Sequence, residues 1–270
     1  MLCCPKCRGD LTRKGQSYFC ENGHCYDISA KGYVNLLLAN QKHSSNPGDD
    51  AQSLLCRDSF LLKGYYQNLS QAITDMFNKY LSAGCTILDA GCGTGYYLRY
   101  LIQNSKQQYK YLATDISKKG VSMTASKCPQ ADCFVSSVFN LPLTDSSLEG
   151  VMSVFCPYSS AEFARVIKDN GCLIAVTPGE KHLYQLKEVV YANPYYNEES
   201  GYKLSDFDLV EQINVTYMMD LTAKADIEAL WKMMPYYHTS SRQDSQKLFD
   251  KEQIETTADF LLQVFRRKKR

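Results

Sequence analysis

The stretch that most constrains this chain is TILDAGCGTGYY, at residues 86–97. A short apolar run ends in Asp89, three glycines follow at alternate positions, and the polarity pattern then becomes helical. This order is typical of a buried strand, a glycine turn and a helix N-terminus, the first βα unit of a nucleotide-binding α/β sheet. Glycine is required in such a turn because a side chain would hold the main chain away from a ligand.

A second acidic residue narrows the choice of ligand. The next apolar run, at residues 109–116, ends near Asp115, about 20 residues after the glycines, where a carboxylate can bind ribose hydroxyls. The fingerprint D-A-G-C-G-T-G has an acid before its first glycine and no G-x-G-x-x-G, and it resembles motif I of S-adenosylmethionine (SAM) methyltransferases. NAD binding and a turn without a ligand are the less favoured alternatives. The cofactor-binding residues predicted in this region are Asp89, Gly91, Gly93, Thr94, Gly95 and Asp115.

The amino-acid composition sets limits on size and class. A chain of 270 residues, 44% hydrophobic and 22% charged, suits one large domain or a standard domain plus a small one. The net charge of +1 does not indicate nucleic-acid binding, so any basic surface must be local, as in RRKKR at residues 266–270. Neither a signal-peptide pattern nor a run of about 18 apolar residues occurs, so we expect a cytoplasmic protein that does not enter a membrane.

Near the N-terminus, a cysteine cluster with the spacing C-x2-C-x12-C-x3-H predicts a metal site. Two ligands two residues apart grip one side of a tetrahedral zinc ion, and a second pair closes the other side. Few apolar residues surround the cluster, so metal binding would supply the folding free energy. Four protein ligands leave no open position, so the zinc would be structural. Reduced cysteines without a metal are the less favoured alternative, and Cys3 and Cys25 adjoin the cluster as alternative ligands.

The order of these motifs resembles the bacterial 23S rRNA (guanine-N1)-methyltransferases. The C-P-x-C and C-x3-H cluster, GYVNLL, PGD and a helix ending in G-Y-Y precede DAGCGTGYY, and TPG at residues 177–179 follows. The resemblance therefore covers nearly the whole chain. It implies methyl transfer from SAM to N1 of a guanine in the helix 35 hairpin of 23S rRNA, and some family members confer resistance to macrolides such as tylosin.

The resemblance also implies ligands and partners. It implies a homodimer, whose zinc modules help to build a cleft for 23S rRNA. The residues that it implies for zinc are Cys4, Cys7, Cys20 and His24, and those for SAM are Tyr66, Gly93, Thr94 and His182.

We expect an α/β fold, with a Rossmann-like class I SAM-dependent methyltransferase core and a small N-terminal zinc-ribbon-like domain. The core should hold a seven-stranded, mostly parallel sheet, closed by a hairpin of residues 207–218 and 259–265 around a helix at 224–233. The predicted domains are a zinc-binding domain at residues 1–36, a linker with helices at 37–82 and the methyltransferase domain at 83–270.

The chain departs from the family pattern in two places. It has CRDSFLLKGYY where family members resemble ARRAFLDAGHY, with Asp58 and Tyr65 at positions that are usually basic or histidine. It also has Lys168-Asp169-Asn170-Gly171 in place of the common K-P-G-G. Both changes reduce positive charge where RNA would lie, so they leave the enzyme class intact and affect the expected nucleotide target.

Methylation of guanine N1 requires a general base. Guanine N1 carries a proton at neutral pH, so a group near the target must take it. The candidates are Asp49, Asp50 and His182, and Tyr158 could stack on the base or orient it. For the two aspartates, capping the following helix is the alternative role. A small-molecule methyltransferase and a non-catalytic RNA- or protein-binding module are the alternatives for the whole chain.

Overall fold

The computed structural model describes residues 1–41, 48–198 and 201–269. Pro47 of the PGD motif lies outside these ranges. The chain forms a small N-terminal sheet and one large mixed sheet flanked by helices, which confirms the predicted fold class. No helix in the described ranges has the length and apolarity needed to cross a membrane.

The N-terminal sheet is a three-stranded antiparallel ribbon. It follows the first cysteine pair and carries the second half of the cysteine cluster around its last turn. Each strand has only three residues, and none of these residues is buried. The strands are β1 (Thr12–Lys14), β2 (Ser17–Phe19) and β3 (Cys25–Asp27).

The large sheet has the strand order β10-β11-β9-β8-β5-β6-β7-β4. All neighbours from β9 to β4 run parallel, whereas β11 is antiparallel to both of its neighbours. The carboxyl ends of β5, β6 and β8 therefore meet at one edge, where ligands bind in such sheets. The strands are β4 (Tyr33–Asn35), β5 (Thr86–Ala90), β6 (Lys110–Asp115), β7 (Ala131–Val135), β8 (Leu148–Val154), β9 (Ile167–Pro178), β10 (Phe207–Leu221) and β11 (Ile254–Arg267).

Seven of these strands form the predicted sheet, and β4 is an additional edge strand. It pairs in parallel with β7, and the pairing continues where the N–H of Leu36 donates to the carbonyl of Val135 at 3.0 Å. Val34 and Leu36 are both buried, which explains why this apolar stretch joins the core. Because β4 lies within residues 1–36, the last part of the predicted zinc domain belongs structurally to the large sheet.

Nine α-helices occur within the described ranges. The first two are separated at Gly64, as the sequence predicts, and the positive φ of +86° there suits glycine. The helices are α1 (Ala51–Leu61), α2 (Gln67–Tyr80), α3 (Tyr96–Asn104), α4 (Lys118–Lys127), α5 (Ser160–Val166), α6 (Tyr184–Val190), α7 (Lys224–Lys232), α8 (Pro235–Thr239) and α9 (Arg242–Phe249).

A helical insert, α7–α9, connects β10 to β11 and packs on the N-terminal helices. The predicted hairpin around a helix is confirmed, although both strands are longer than expected. Trp231 is fully buried and donates its indole N–H to Ser245 Oγ at 3.1 Å. The buried carboxylate of Asp226 binds Lys63 Nζ and accepts a hydrogen bond from the Tyr65 hydroxyl, which attaches α7 to the α1–α2 turn.

The ribbon is bound to the core through the loop that follows β7. The Arg8 guanidinium, next to a predicted zinc ligand, donates to the carbonyls of Leu141 and Leu143 at 3.0 and 3.1 Å. The N–H of Cys3 donates to the carbonyl of Pro142 at 2.9 Å. The same loop is held from the other side by Arg165. The orientation of the ribbon is therefore fixed against the core by several hydrogen bonds.

Candidate active site and metal centre

The structure brings the four predicted zinc ligands together. The ligand atoms of Cys4, Cys7, Cys20 and His24 all lie within 4.8 Å of one another. Ligand atoms around a tetrahedral zinc ion are separated by roughly 3.5–3.8 Å, given Zn–S bonds of about 2.3 Å and Zn–N bonds of about 2.0 Å. The observed separations are 3.4 Å from His24 Nδ1 to each of two Sγ atoms and 3.7 Å from Cys7 Sγ to Cys20 Sγ. The cluster fits zinc.

The surroundings of the cluster favour metal-binding thiolates. Hydrogen bonds from the Asn22 side chain and from the main-chain N–H of Gly9 lower the pKa of Cys7 to about 7. The Tyr26 hydroxyl lies 3.2 Å from Cys4 Sγ, so it can donate to a thiolate and orient it. The two alternative ligands do not belong to the cluster. Cys25 is exposed beside Asp27, and Cys3 is buried against the core.

The glycine loop after β5 is held by the carboxylate of Asp115 at the end of β6. Asp115 Oδ2 accepts the N–H of Gly93 at 2.9 Å, and Oδ1 accepts the N–H of Ser117 at 2.7 Å. These two bonds join the loop after β5 to the turn after β6. Each carboxylate oxygen retains a second lone pair for a ligand hydroxyl.

Glycine is favoured at two positions of this loop for different physical reasons. A Cβ at Gly91, where φ is +81°, would lie 2.4 Å from Cys156 Sγ, so the loop packs directly on the segment after β8. A Cβ at Gly93 would have only Arg57 Nη1 nearby, at 3.9 Å, although its φ of +49° would still disfavour most side chains. The main chain of Gly93 thus forms an open wall that a ligand can approach.

Two adjoining cavities lie at the carboxyl edge of the sheet. The first, of about 500 Å³, is lined by Tyr66, Gly93, Thr94 and His182, and the insert closes its far side. The second, of about 760 Å³, is lined by Asp115, Ile116, Ser117 and residues 137–140. Their shared walls include Asp49, Arg57, Gly91, Phe155 and Cys156. Both volumes are those of small-molecule sites.

Two residues that line the first cavity carry buried hydroxyl groups without a hydrogen-bond partner in the described ranges. Thr94 Oγ1 and Thr177 Oγ1 are buried, line this cavity and have no hydrogen-bond partner among the described residues. Unpaired buried hydroxyls are costly, so something polar normally occupies the space that they face. In the second cavity, Asp115 offers carboxylate oxygens. Hydroxyl donors on one side and a carboxylate on the other fit the amino-acid and ribose halves of SAM.

His182 and Tyr66 form a buried pair in the first cavity. Nδ1 of His182 accepts the N–H of Asp259 at 3.2 Å, so the proton of the neutral ring is on Nε2, which lies 3.3 Å from the Tyr66 hydroxyl. Burial lowers the pKa of His182 to about 3 and keeps the ring neutral. The Tyr66 oxygen accepts from His182, and its own hydrogen is available to an acceptor in the cavity.

A buried lysine is connected to His182 of this pair through Asn197. Lys187 is 1% exposed, and its ammonium donates to the Asn197 side-chain oxygen at 2.6 Å. It also lies 4.8 Å from the ring centre of Tyr236, which lines the first cavity. Asn197 in turn donates to the carbonyl of His182 at 3.2 Å. Lys187 therefore connects the insert with the segment after β9, two walls of one cavity.

Other predicted residues lie outside the cavity walls. Asp89 is buried within β5, where burial and the charge of Asp115 raise its pKa to about 8. Gly95 packs against Thr124 of α4. Asp50 caps α1, because its carboxylate accepts the N–H groups of residues 52 and 53 and the Ser53 hydroxyl. The ring of Tyr158 stacks on Tyr202 with centres 3.7 Å apart.

Three features of the site are absent from the sequence-based prediction. Arg57 pairs with Asp49 at 2.7 Å and donates to the carbonyl of Met233 at 3.3 Å, which ties α1 to the insert. Phe155 lies at the shared wall of both cavities. Residues 233–236 of the insert line the first cavity, although they come far along the chain. For Arg57, the available signal was its match to an arginine in the ARRAFL pattern of family members.

The position of Asp58 is explained by the glycine loop. Its carboxylate pairs with Lys127 Nζ, which also donates to the carbonyl of Thr94 at 3.3 Å. The acidic residue at this usually basic position therefore stabilises the glycine loop through Lys127. Tyr65 is the second residue that differs from the family pattern. Its hydroxyl donates to the Asp226 carboxylate, and its main-chain carbonyl accepts a hydrogen bond from the Tyr217 hydroxyl.

The fold, the glycine loop and the cysteine cluster define a SAM-dependent methyltransferase with an N-terminal zinc ribbon. Residues 2–45 match the zinc-ribbon family described as "RlmA, N-terminal", and residues 87–171 match the family described as "Methyltransferase domain". A curated relative is the 23S rRNA (guanine(748)-N(1))-methyltransferase of Streptomyces fradiae, 28% identical over 92% of this chain and 88% of the relative.

Two further relatives carry the provisional name 23S rRNA (guanine-N1)-methyltransferase. One, from Micromonospora griseorubida, is 31% identical over 68% of each chain. The other, from Bacillus subtilis, is 32% identical over 72% of this chain and 70% of the relative. The chain belongs to the 23S rRNA (guanine-N1)-methyltransferase family.

Loss of one zinc ligand should release the metal and unfold the ribbon. The protein should hold about one zinc per chain, and Cys20→Ser should hold almost none after passage over a chelator, because a three-ligand site binds far more weakly. Zinc content is measured by mass spectrometry, and ribbon folding by tryptic cleavage at Arg13 and Lys14. Cys25→Ser is the matched control and should retain both metal and protection. Equal zinc loss in the two variants would contradict this ligand set.

The buried neutral His182 should make stability fall in acid. Its pKa of about 3 in the folded protein lies below the value of about 6.5 expected after unfolding. The stabilisation is thus complete above pH 6.5 and is lost toward pH 3, by about 1.4 kcal/mol per pH unit. Urea unfolding of the SAM-free protein between pH 7.5 and 4.5 should show this extra slope in wild type and not in His182→Gln. An equal pH dependence of the unfolding free energy in the two proteins would exclude this contribution of His182.

Proposed function

We propose that this protein transfers the methyl group of SAM to N1 of a guanine in the helix 35 hairpin of 23S rRNA. The observation that carries the proposal is the union, in one chain, of the two-part cavity with a zinc ribbon matching its family model over residues 2–45. The names of the relatives supply the substrate and the position of methylation.

The residues around the cavities support binding of SAM. Thr94, Thr177 and the Tyr66 hydroxyl offer hydrogen-bonding groups in the first cavity. Asp115 offers acceptor oxygens to ribose hydroxyls in the second. When bound, SAM supplies an electrophilic methyl group on its sulfonium. The protein then needs to align an acceptor lone pair and exclude water.

Asp49 is the best-placed general base of the three candidates. Its carboxylate lies on the wall shared by both cavities, whereas that of Asp50 is used to cap α1. Both ring nitrogens of His182 are engaged by neighbours, so that ring has no free lone pair. Asp49 would accept the N1 proton of guanine. The negative charge left on the base extends to O6, and the adjacent Arg57 guanidinium would stabilise it.

The N-terminal ribbon supports an RNA substrate. Guanine N1 lies on the Watson–Crick edge, so the base must be unpaired or extruded before methylation. The rest of the hairpin must then be held outside the cavities. The ribbon carries exposed Arg13 and Lys14 and is fixed to the core by the hydrogen bonds of Arg8. It is therefore suited to contact RNA phosphates at a set distance from the cavities.

Tritium transfer from labelled SAM to unmethylated 23S rRNA tests this function and its base together. Label should be recovered as 1-methylguanosine in the helix 35 hairpin after nuclease digestion. Asp49→Asn should lower kcat by about 10²- to 10⁴-fold, because an amide cannot take a proton, with little change in SAM affinity. Asp50→Asn is the matched control and should retain the rate, since asparagine also caps helices.

The results of the tritium-transfer assay distinguish the alternative substrates and the alternative general bases. Absence of label from RNA, with SAM still bound, would exclude free 23S rRNA as the substrate and favour a small acceptor. A wild-type rate in Asp49→Asn would leave the function standing and remove Asp49 as the base.

We also propose that the protein acts as a homodimer in the cytoplasm. The family resemblance supports the dimer, and the outer strand β10 has an edge without a strand partner among the described residues. Light scattering coupled to gel filtration should give a mass of twice the 30.6 kDa chain. A mass equal to one chain at micromolar concentration would refute the dimer.

A further inference from the structure

Phe155 combines an uncommon backbone conformation with an exposed aromatic ring. It follows β8 directly, and its φ of +52° lies in the left-handed region that bulky side chains rarely adopt. Phe155 is 41% exposed, so this conformation does not serve to bury the side chain. Such strain persists only where the surrounding structure imposes it, and it is found mainly at functional sites.

The surroundings of Phe155 hold the ring in place and leave one side open. Its N–H donates to the carbonyl of Val176 at 3.0 Å, which fixes the strained residue to β9. Its ring lies nearly parallel to that of His182, with centres 6.5 Å apart, and 5.6 Å from that of Phe260. Both neighbours are buried, so they form a rigid support behind the ring.

The open side of the ring lies where the two cavities meet. Phe155 lines both of them, together with Asp49 and Arg57. The sulfonium of SAM lies between its amino-acid and nucleoside halves. If these halves occupy the two cavities, an acceptor base must reach this shared wall. Phe155 is thus an exposed aromatic side chain that lines the same two cavities as the proposed general base.

We propose that Phe155 is the side chain on which the extruded target guanine stacks during methyl transfer. The inference rests on the proposed rRNA methyltransferase function. Flat aromatic rings bind extruded bases through their π faces, and the contact holds the plane of the base without engaging its Watson–Crick edge. The N1 edge therefore stays free to face Asp49 and the methyl donor.

Tyr158, the aromatic residue that the sequence suggested for this role, is already engaged. Its ring is stacked on Tyr202, and its hydroxyl accepts the N–H of Lys203 at 3.3 Å. Tyr202 donates in turn to the carbonyl of Cys156 at 2.7 Å. The Tyr158–Tyr202 pair supports the main chain next to Phe155, and it lies outside the cavity walls.

The test compares three substitutions of Phe155 in the full-length, zinc-loaded protein. Phe155→Gly removes the ring and relieves the backbone strain, Phe155→Leu keeps an apolar side chain, and Phe155→Tyr keeps a ring. Each is assayed for kcat/KM with unmethylated 23S rRNA, for SAM affinity by equilibrium dialysis and for melting temperature. Tyr196→Ala is the matched control, because Tyr196 is also an exposed aromatic, stacked on Tyr184 away from both cavities.

Loss of base stacking should lower kcat/KM for RNA by about 5- to 150-fold in Phe155→Gly and Phe155→Leu. SAM affinity should stay within about twofold, and Phe155→Tyr and Tyr196→Ala should behave as wild type. The melting temperature of Phe155→Gly should equal or exceed that of wild type, because glycine adopts the left-handed conformation freely. A merely structural role would instead lower its melting temperature.

Two results would overturn the inference while leaving the proposed function intact. One is a kcat/KM for RNA in Phe155→Gly equal to that of an active wild-type enzyme. The other is a parallel loss of SAM affinity, which would assign the ring to the cofactor. If wild-type protein binds SAM and does not label 23S rRNA, the proposed function fails and this inference fails with it.

Discussion

The double hydrogen bond from the Asp115 carboxylate to the N–H groups of Gly93 and Ser117 is the interaction on which the site depends. It joins the turns after two neighbouring parallel strands and keeps the main chain of the glycine loop facing outward. Gly91 allows that loop to approach the segment after β8, because no Cβ intervenes. The cavities on either side exist because three strand ends are drawn together at one edge of the sheet.

The outer walls of these cavities come from chain segments that are distant in sequence. Arg57 of α1 binds the end of α7, and Asp226 of α7 binds the turn between α1 and α2. Lys187 connects the insert with the segment that carries His182. Each contact pairs a charged group with polar or aromatic neighbours, so each depends strongly on geometry. The N-terminal helices and the insert therefore hold each other over the cofactor site.

The sequence predicts what local spacing determines. The cysteine cluster, the glycine loop and Asp115 follow from short patterns, because their chemistry requires fixed intervals along the chain. Asn170 shows the limit of pattern matching. It replaces a glycine of the K-P-G-G motif and adopts the left-handed φ of +61° that asparagine tolerates.

What the sequence does not predict depends on tertiary contacts. A three-residue strand such as β4 carries too few residues for a periodic signal, and it forms because Val34 and Leu36 find a buried surface on β7. Arg57 and Phe155 have ordinary neighbours in sequence, and their significance comes from the cavity that they line. The sequence predicts helix capping as an alternative role for Asp50, and it does not predict the support that Asp58 gives to the glycine loop.

The extra strand β4 and the hydrogen bonds of Arg8 have a consequence for how a folded RNA is selected. Because the ribbon leads directly into β4 of the core sheet and its Arg8 is hydrogen-bonded to the core, its orientation is fixed and does not adapt to differently shaped partners. A hairpin that touches the ribbon can place a nucleotide in the cavity only if its own stem and loop have the matching length and bend. Recognition of this kind depends on the three-dimensional structure of the RNA, so an RNA with the right sequence and a different fold would bind poorly.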